Sequence, residues 1–270
     1  MSVPTHCYNP DLLKGKRALV TGGGTGIGRA IAFELARAGA TVTIAARQVE
    51  PLQATAEAIA SETQRPVKTR LVDIRDLDSV AQLAAALETE DGQTDILINN
   101  AGGQFPQAAE NYSPKGWRTI IDLNLNGTWN MTQALGQQML KGRGGVILNI
   151  IMTIGRGNPG IAHSGAARAG VAEMTRSLSY EWGPKVRVNC LGPGAIITPG
   201  MQATYDDDVL DDIGDTPIPQ PGTPEDVANG AVFLVSPAGR FITGEVLMVD
   251  GGVTRYGTNQ EIKSWDIPHR

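Results

Sequence analysis

Cysteine, histidine and positive charge are all scarce in this 270-residue chain, and each scarcity removes a class of function. The two cysteines, Cys7 and Cys190, stand far apart and form no metal-ligand spacing, so a reducing compartment is the simpler reading. The three histidines, His6, His163 and His269, are scattered, and no metal site is expected. Lys and Arg total 23 against 28 Asp and Glu, a formal net charge of −5, which argues against nucleic acid or an anionic membrane as the main partner. No stretch approaches the ~18 consecutive apolar residues of a membrane span. Met1 to Pro10 lacks the basic-then-apolar layout of a signal peptide. The end, Ile267-Pro268-His269-Arg270, is not a peroxisomal address, so cytoplasm is the expected location.

What the chain does have is rhythm. Short apolar, β-branched runs at Arg17–Thr21, Thr41–Ala45, Val67–Val72, Ile96–Asn99, Val146–Ile151, Val186–Cys190 and Val246–Val249 read as strands. Between them lie helical patterns around Gly28–Ala38, Pro51–Glu62, Leu77–Thr89, Gly116–Met139, Ala162–Trp182 and Pro224–Val235. This alternation predicts a single α/β domain over residues 1–270, a doubly wound, seven-stranded parallel sheet of the Rossmann type. Ligands of such sheets bind at the carboxyl ends of the strands. The rhythm breaks over residues 197–224, where Asp206, Asp207, Asp208, Asp211, Asp212 and Asp215 crowd a segment without strand pattern. Its length and position read as a lid over a site, and the bland alternative is a solvated surface loop. The polar tail 253–270, with Tyr256 and Trp265, is expected to pack on a neighbouring subunit.

The run Thr21-Gly22-Gly23-Gly24-Thr25-Gly26-Ile27-Gly28 follows the first strand and opens the first helix. Glycine admits positive φ and a close approach of backbone to a pyrophosphate, and a helix N-terminus there offers free N–H groups to phosphate. Gly22, Thr25, Gly26, Ile27 and Gly28 are therefore the expected cofactor-binding turn. An acidic residue at the end of the second strand would accept from a ribose 2′-OH and repel a 2′-phosphate. Here Ala46 stands near that place and Arg47 follows it, which favours NADP(H) over NAD(H). Asp73, after the third strand, either accepts from the adenine amino group or caps a helix.

From about Lys14 to Gly252 the chain resembles the short-chain dehydrogenase/reductase family. The resemblance rests on the Thr21–Gly28 turn, Asn99-Asn100-Ala101-Gly102, Asn124, Pro193-Gly194 with Ile196 and Thr198, and Ile242-Thr243-Gly244 ahead of Val249-Asp250-Gly251-Gly252. It implies that Asn100, Ala101 and Gly102 line the adenosine-ribose side of the cofactor. It also implies that Pro193, Gly194, Ile196 and Thr198 contact the nicotinamide and diphosphate. The family's catalytic pattern is a Ser, an upstream Asn, and Tyr-x-x-x-Lys. In this chain Ser164 takes the tyrosine place, Arg168 the lysine place, and Ile151 or Met152 the serine place; Asn124 alone matches. An alkyl hydroxyl is far less acidic than a phenol, and Arg168 does not deprotonate usefully. Ordinary ketone or alcohol chemistry is disfavoured.

The segments Asn100-Ala101-Gly102-Gly103-Gln104-Phe105 and His163 to Val171 are similar to the enoyl-CoA reductase branch of that family, including the peroxisomal trans-2-enoyl-CoA and 2,4-dienoyl-CoA reductases. The branch's aromatic acids are absent, since Ala172 stands in one of their places and Thr153 or Ile154 in the other. The resemblance implies an acyl-CoA thioester as substrate, and dimers or tetramers formed through the helices Gly116–Met139 and Ala162–Trp182. Reducing a C=C bond conjugated to a thioester needs hydrogen-bond donation to the developing enolate rather than a strong acid. Ser164, assisted by Thr153 or Asn124, is expected to supply it, with Arg168 anchoring the ribose. His163 is read as structural. Arg143, Arg156 and Lys141 are the candidate partners for CoA phosphates. Two other readings stay open: a catalytically silent NADP(H)-binding scaffold or sensor, and a carbonyl reductase whose acid has moved to Tyr180 or Tyr205.

Overall fold

Seven aliphatic, β-branched runs become seven parallel strands because each is flanked by a helix long enough to cross back over the sheet. The computed structural model describes residues 7–155, 157–203, 216–218 and 220–256. The strands are β1 (Arg17–Thr21), β2 (Thr41–Ala46), β3 (Lys68–Leu71), β4 (Ile96–Asn99), β5 (Gly145–Ile150), β6 (Val186–Pro193) and β7 (Val246–Val249). Their order is β3-β2-β1-β4-β5-β6-β7, all parallel. The chain starts in the middle, winds to one edge, and returns to the other. The order therefore reverses between β1 and β4, where the crossovers diverge and leave a crevice above the strand ends.

The main helices are α1 (Gly26–Arg37), α2 (Val49–Thr63), α3 (Leu77–Ala86), α4 (Pro114–Ile121), α5 (Gly127–Lys141), α6 (Ala162–Glu181), the short α7 (Pro199–Gln202) and α8 (Pro224–Val235). One core layer joins Ile31 and Leu35 of α1 to Val227, Ala231 and Val232 of α8 over one sheet face. The other joins Leu83 of α3 to Met131, Leu135 and Met139 of α5 over the opposite face. Among the described residues no helix is long and apolar enough to cross a membrane.

Three expectations change in detail. The single helix expected over Gly116–Met139 is two helices joined by a wide π turn, Asp122–Asn126. Pro114 at the first position, with Ser113 accepting from the Gly116 N–H, starts it earlier. The π turn inserts a step that a 3.6-residue hydrophobic pattern does not mark, and Asn124 sits in it, fully buried. Likewise α3 stops at Ala86, continues as a π turn through Asp91, and ends at Gly92 with φ +79°. Finally β6 runs to Pro193, three residues beyond expectation, because Leu191, Gly192 and Pro193 pair with Leu247, Met248 and Val249. The lid and tail expectations rest largely on residues 204–215 and 257–270, including all six aspartates and Trp265, which lie outside the described residues.

At the opposite, amino-terminal edge of the sheet, Asp95 is 5% exposed and accepts from the Arg17 N–H at 2.9 Å and from Arg143 at 2.8 and 3.0 Å. Arg143 is therefore committed far from the strand ends and is not a partner for CoA phosphates. Burial pushes the Asp95 carboxyl up, but the hydrogen bonds from Arg143 and Arg17 outweigh it and hold the group below the usual carboxylate range. A depressed folded-state value contributes stability above the unfolded pKa, and that stability is lost as pH falls through the folded one. Asp95→Ala is expected to cost roughly 2 kcal/mol at neutral pH. Urea melts should show the gap to wild type closing below about pH 4.

Candidate active site

Two adjoining cavities open over the carboxyl ends of the strands, one of about 380 Å³ and one of about 860 Å³; Ile27, Asn100, Gly102 and Thr198 line both. Their floor is a lock between β1 and β4. The Thr21 hydroxyl accepts from the Asn100 and Ala101 N–H groups at 3.0 and 3.1 Å. In return the Asn100 side-chain amide donates to the Thr21 and Gly22 carbonyls at 3.0 and 3.2 Å.

The smaller cavity gathers most of the expected cofactor residues. Gly22, Thr25, Gly26, Ile27, Arg47, Asp73, Ala101 and Thr198 line it. Gly22 and Gly26 take φ of +65° and +53°. Thr25 gives α1 no side-chain cap, and a Cβ at Gly26 would meet nothing nearer than Thr198 at 3.5 Å. The first turn of α1 thus presents uncapped N–H groups to open space, an arrangement that fits a pyrophosphate. Gly28 lines neither cavity; it is buried, and a side chain there would overlap the Gly22 carbonyl oxygen and the Asn100 amide. Its part is to let α1 sit down on the β1–β4 lock.

Asp73 is not the helix cap. That place belongs to Asp76, whose carboxylate accepts from the Asp78 and Ser79 N–H groups. Asp73 instead accepts from the backbone N–H, Nε and Nη2 of Arg75 at 3.0, 2.9 and 2.5 Å. The Arg75 hydrogen bonds pull its pKa down to about 2, so it is an acceptor at any physiological pH. Exposed Arg47 stands on the same rim, close enough to stabilise the Asp73 charge.

The larger cavity holds Thr153, Arg168, Pro193, Gly194 and Ile196 of the expected set. Among the described residues lining it, Arg168 is the one charged group, and there is no tyrosine, lysine, histidine, cysteine or carboxylate. Arg168 donates to the Ile150 carbonyl at 2.6 Å and, among the described residues, has no carboxylate partner. Burial pulls its guanidinium down to about 10, which leaves it cationic at neutral pH. A Cβ at Gly102 would collide with this guanidinium, so the bare backbone there is what lets Arg168 reach the wall.

Ser164 and Asn124 lie behind that wall. Ser164 is fully buried and is not among the residues lining either cavity; its hydroxyl donates to Gln104 Oε1 at 2.9 Å, with Met152 Sδ at 3.6 Å. Asn124 uses both ends of its amide on Gly103, accepting from its N–H at 3.1 Å and donating to its carbonyl at 2.8 Å. His163 is buried, accepts from the Ser164 N–H at 2.8 Å and packs on Phe105 and Tyr112, in keeping with a structural part. Burial lowers its pKa, so the ring is neutral at pH 7. Ala172 is fully buried in a core cluster with Ile151, Val171 and Cys190. Tyr180 is 91% exposed in the last turn of α6 and absent from both cavities, which removes it as a relocated acid; Tyr205 and Arg156 lie outside the described residues. Gln104, on the wall of the larger cavity, escaped sequence reasoning. Its position directly after Gly102-Gly103 at a strand end was the available signal.

A Gly-rich turn at the β1–β4 switch point, an uncapped helix N-terminus and a second cavity beside it define a dinucleotide-binding oxidoreductase. Residues 22–254 match the family described as enoyl-(acyl carrier protein) reductase. A peroxisomal 2,4-dienoyl-CoA reductase of Danio rerio is 38% identical over 93% of this chain and 86% of its own. The 3-oxoacyl-[acyl-carrier-protein] reductase of Chlamydia trachomatis is 37% identical over 90% of this chain and 98% of its own. A gluconate 5-dehydrogenase from Burkholderia cenocepacia, solved with NADP and tartrate, superposes with a TM-score of 0.85 at 32% identity, covering 91% of this chain and 98% of that one. The chain belongs to the short-chain dehydrogenase/reductase family of oxidoreductases.

Proposed function

We propose that this protein is an NADPH-dependent reductase of the C=C bond in a 2-enoyl or 2,4-dienoyl thioester of the acyl-CoA type. The observation that carries the reading is the larger cavity's lining: an arginine, no phenol and no other titratable group among the described residues. Ketone reduction calls for a proton on oxygen, which this wall does not supply. Alkene reduction next to a thioester calls for donors to an enolate and a proton at carbon, which water provides. The 2,4-dienoyl-CoA reductase relative supports the same substrate class. Ile151, Met152, Ile161 and Met201 supply an apolar wall that suits an acyl chain.

The bound cofactor would supply hydride. Gly22, Thr25 and Gly26 would hold its pyrophosphate, Asp73 would accept from the adenine amino group, and Asn100, Ala101 and Gly102 would line the ribose. Pro193, Gly194, Ile196 and Thr198 would frame the nicotinamide. Arg168 would anchor the ribose hydroxyls and lend positive potential, and Thr153 would assist from the wall. Ser164 and Asn124 would act through the groups they hold.

Arg47 beside Ala46, with no carboxylate at the end of β2, supports NADPH over NADH. Arg47→Ala is expected to raise KM for NADPH about tenfold and leave that for NADH unchanged, since a charge-assisted phosphate contact of roughly 1.4 kcal/mol is lost. Cytoplasmic location and a homo-oligomer, dimer or tetramer, belong to the same reading. The deciding experiment contrasts NADPH oxidation by 2-enoyl-CoA esters of several chain lengths with that by simple ketones. Folded, NADPH-loaded protein that turns over none of the thioesters would leave the silent NADP(H)-binding protein in its place.

A further inference from the structure

We propose that a separate cavity, at the amino-terminal end of the sheet, binds a small oxyanion of the phosphate class through Lys16, Arg143, Arg187 and Arg240. It lies at the opposite end of the strands from the dinucleotide turn and measures about 270 Å³. Among the described residues lining it are those four cations and a single carboxylate, Asp95. A chain of net charge −5 thus gathers a local excess of positive charge here. Strand register brings the group together. Arg187 on β6 pairs with Val146 on β5, and Val146 with Ile96 on β4, the residue after Asp95. Ile96 and Val146 belong to the core layer under α1 and α8 and also line the cavity, so it opens on that face. Arg187 points the same way, donating to the Leu234 carbonyl in the last turn of α8 at 2.9 Å and to the Ile242 carbonyl at 2.8 Å. Arg240 arrives on the turn that follows α8.

The charges do not cancel within the group. Arg143 meets Asp95 with Nε and Nη2, and Nη2 also reaches the Gln93 carbonyl at 3.5 Å, which leaves Nη1 unspent. Arg187 answers the negative end of the α8 dipole, but no carboxylate offsets the burial that lowers its pKa. Lys16 stands close enough to Asp95 to stabilise its charge without forming an ion pair. Among the described residues the Arg240 guanidinium has neither a carboxylate nor a carbonyl partner. The Gly144, Gly145 and Val146 N–H groups are spent on carbonyls, so a ligand here would be held by side chains. Guanidinium groups match pairs of phosphate oxygens, and an anion among three of them would supply the counter-charge that Asp95 alone does not. The volume is small for a drug-sized molecule and suits orthophosphate, pyrophosphate or the phosphate end of an ester.

The test titrates sodium pyrophosphate and, separately, glycerol 3-phosphate into the full chain by calorimetry, with NADP+ in excess so that the turn after β1 is filled. Heat with pyrophosphate alone identifies a free inorganic anion as the source, and heat with both identifies a phosphate ester. Arg240→Ala is expected to weaken pyrophosphate binding about tenfold, and Lys16→Ala combined with Arg240→Ala about 10²-fold, for the loss of one and two charge-assisted contacts. Both side chains are exposed, so these variants should melt within about 2 °C of wild type. Arg187 is left in place because its carbonyl contacts support the fold. Lys115→Ala, which removes an exposed cation on α4, should leave the affinity within about twofold. No heat with either probe overturns the assignment, as does a double variant that binds within about threefold of wild type. An equal loss in Lys115→Ala also overturns it, since the attraction would then belong to the whole molecule rather than to this cavity.

Discussion

Gly28→Ala is expected to abolish measurable NADPH binding and to lower the melting temperature by about 5–10 °C. The added methyl would overlap the Gly22 carbonyl oxygen and the Asn100 amide nitrogen. Neither can retreat. The Asn100 amide is tied to the Thr21 and Gly22 carbonyls, and a Cβ at Gly22 would already stand 2.8 Å from that same nitrogen and 3.0 Å from Ala101 Cα. Helix α1 must therefore lift off the β1–β4 lock, at a cost of roughly 3 kcal/mol for overpacking against backbone. Its N-terminal N–H groups lift with it, away from the phosphates they would bind. Gly26→Ala separates the two effects. There a side chain meets only Thr198 at 3.5 Å, but φ is +53°, so the strain is about 1 kcal/mol and the methyl projects into the cofactor's space. It should lose binding with little change in melting. Fluorescence titration with NADPH beside a thermal melt reads both, and a Gly28→Ala protein that binds within a few-fold of wild type would show that the turn is not held as described.

The features that were legible in the sequence are those encoded by local spacing. A β-branched run followed by Gly-rich turn and amphipathic helix gave β1, the turn and α1 together, because chain connectivity alone places a turn between its neighbours. Pro224–Val235 was legible end to end, since Thr223 and Asp226 form a reciprocal capping box and Pro224 occupies the first position. The surroundings of Ser164 were not legible, for the complementary reason. Helical periodicity says which face a residue occupies, but whether that face reaches the cavity depends on Gln104 and Met152, which arrive from two distant strand ends. Asp73 shows the same limit at short range. Its carboxylate could cap or bind on the sequence alone; in the structure Asp76 does the capping, and Arg75 holds Asp73 on the cavity rim. The π turn at Asn124 was invisible because the apolar spacing of Ile120, Leu123 and Gly127 continues across it.

Arg168→Met is expected to lower kcat/KM for the enoyl thioester about 10³-fold while leaving the melting temperature unchanged or a few degrees higher. The guanidinium is desolvated, and among the described residues it has no carboxylate to repay that desolvation. Replacing such a charge with an apolar side chain of similar length is neutral or stabilising in a fold, even after the Ile150 carbonyl loses the 2.6 Å hydrogen bond it now accepts. The cost falls on function, since the ribose and the charge developing on the substrate lose the one cation that the described residues place in the cavity wall. Arg168→Lys should recover part of the loss, because it restores a charge but not a planar fork of donors. The pH dependence has a definite sign. Burial lowers the guanidinium from its ordinary value to about 10, so the fold carries its penalty wherever the group is protonated in both states, below about pH 10. The stability gap between wild type and Arg168→Met should therefore stay constant from pH 6 to about 9 and shift in favour of wild type above about 10. Activity attributable to the cation should hold level over the same range and fall beyond it. A methionine variant that keeps kcat/KM within tenfold of wild type would remove Arg168 from the chemistry and leave it a structural residue.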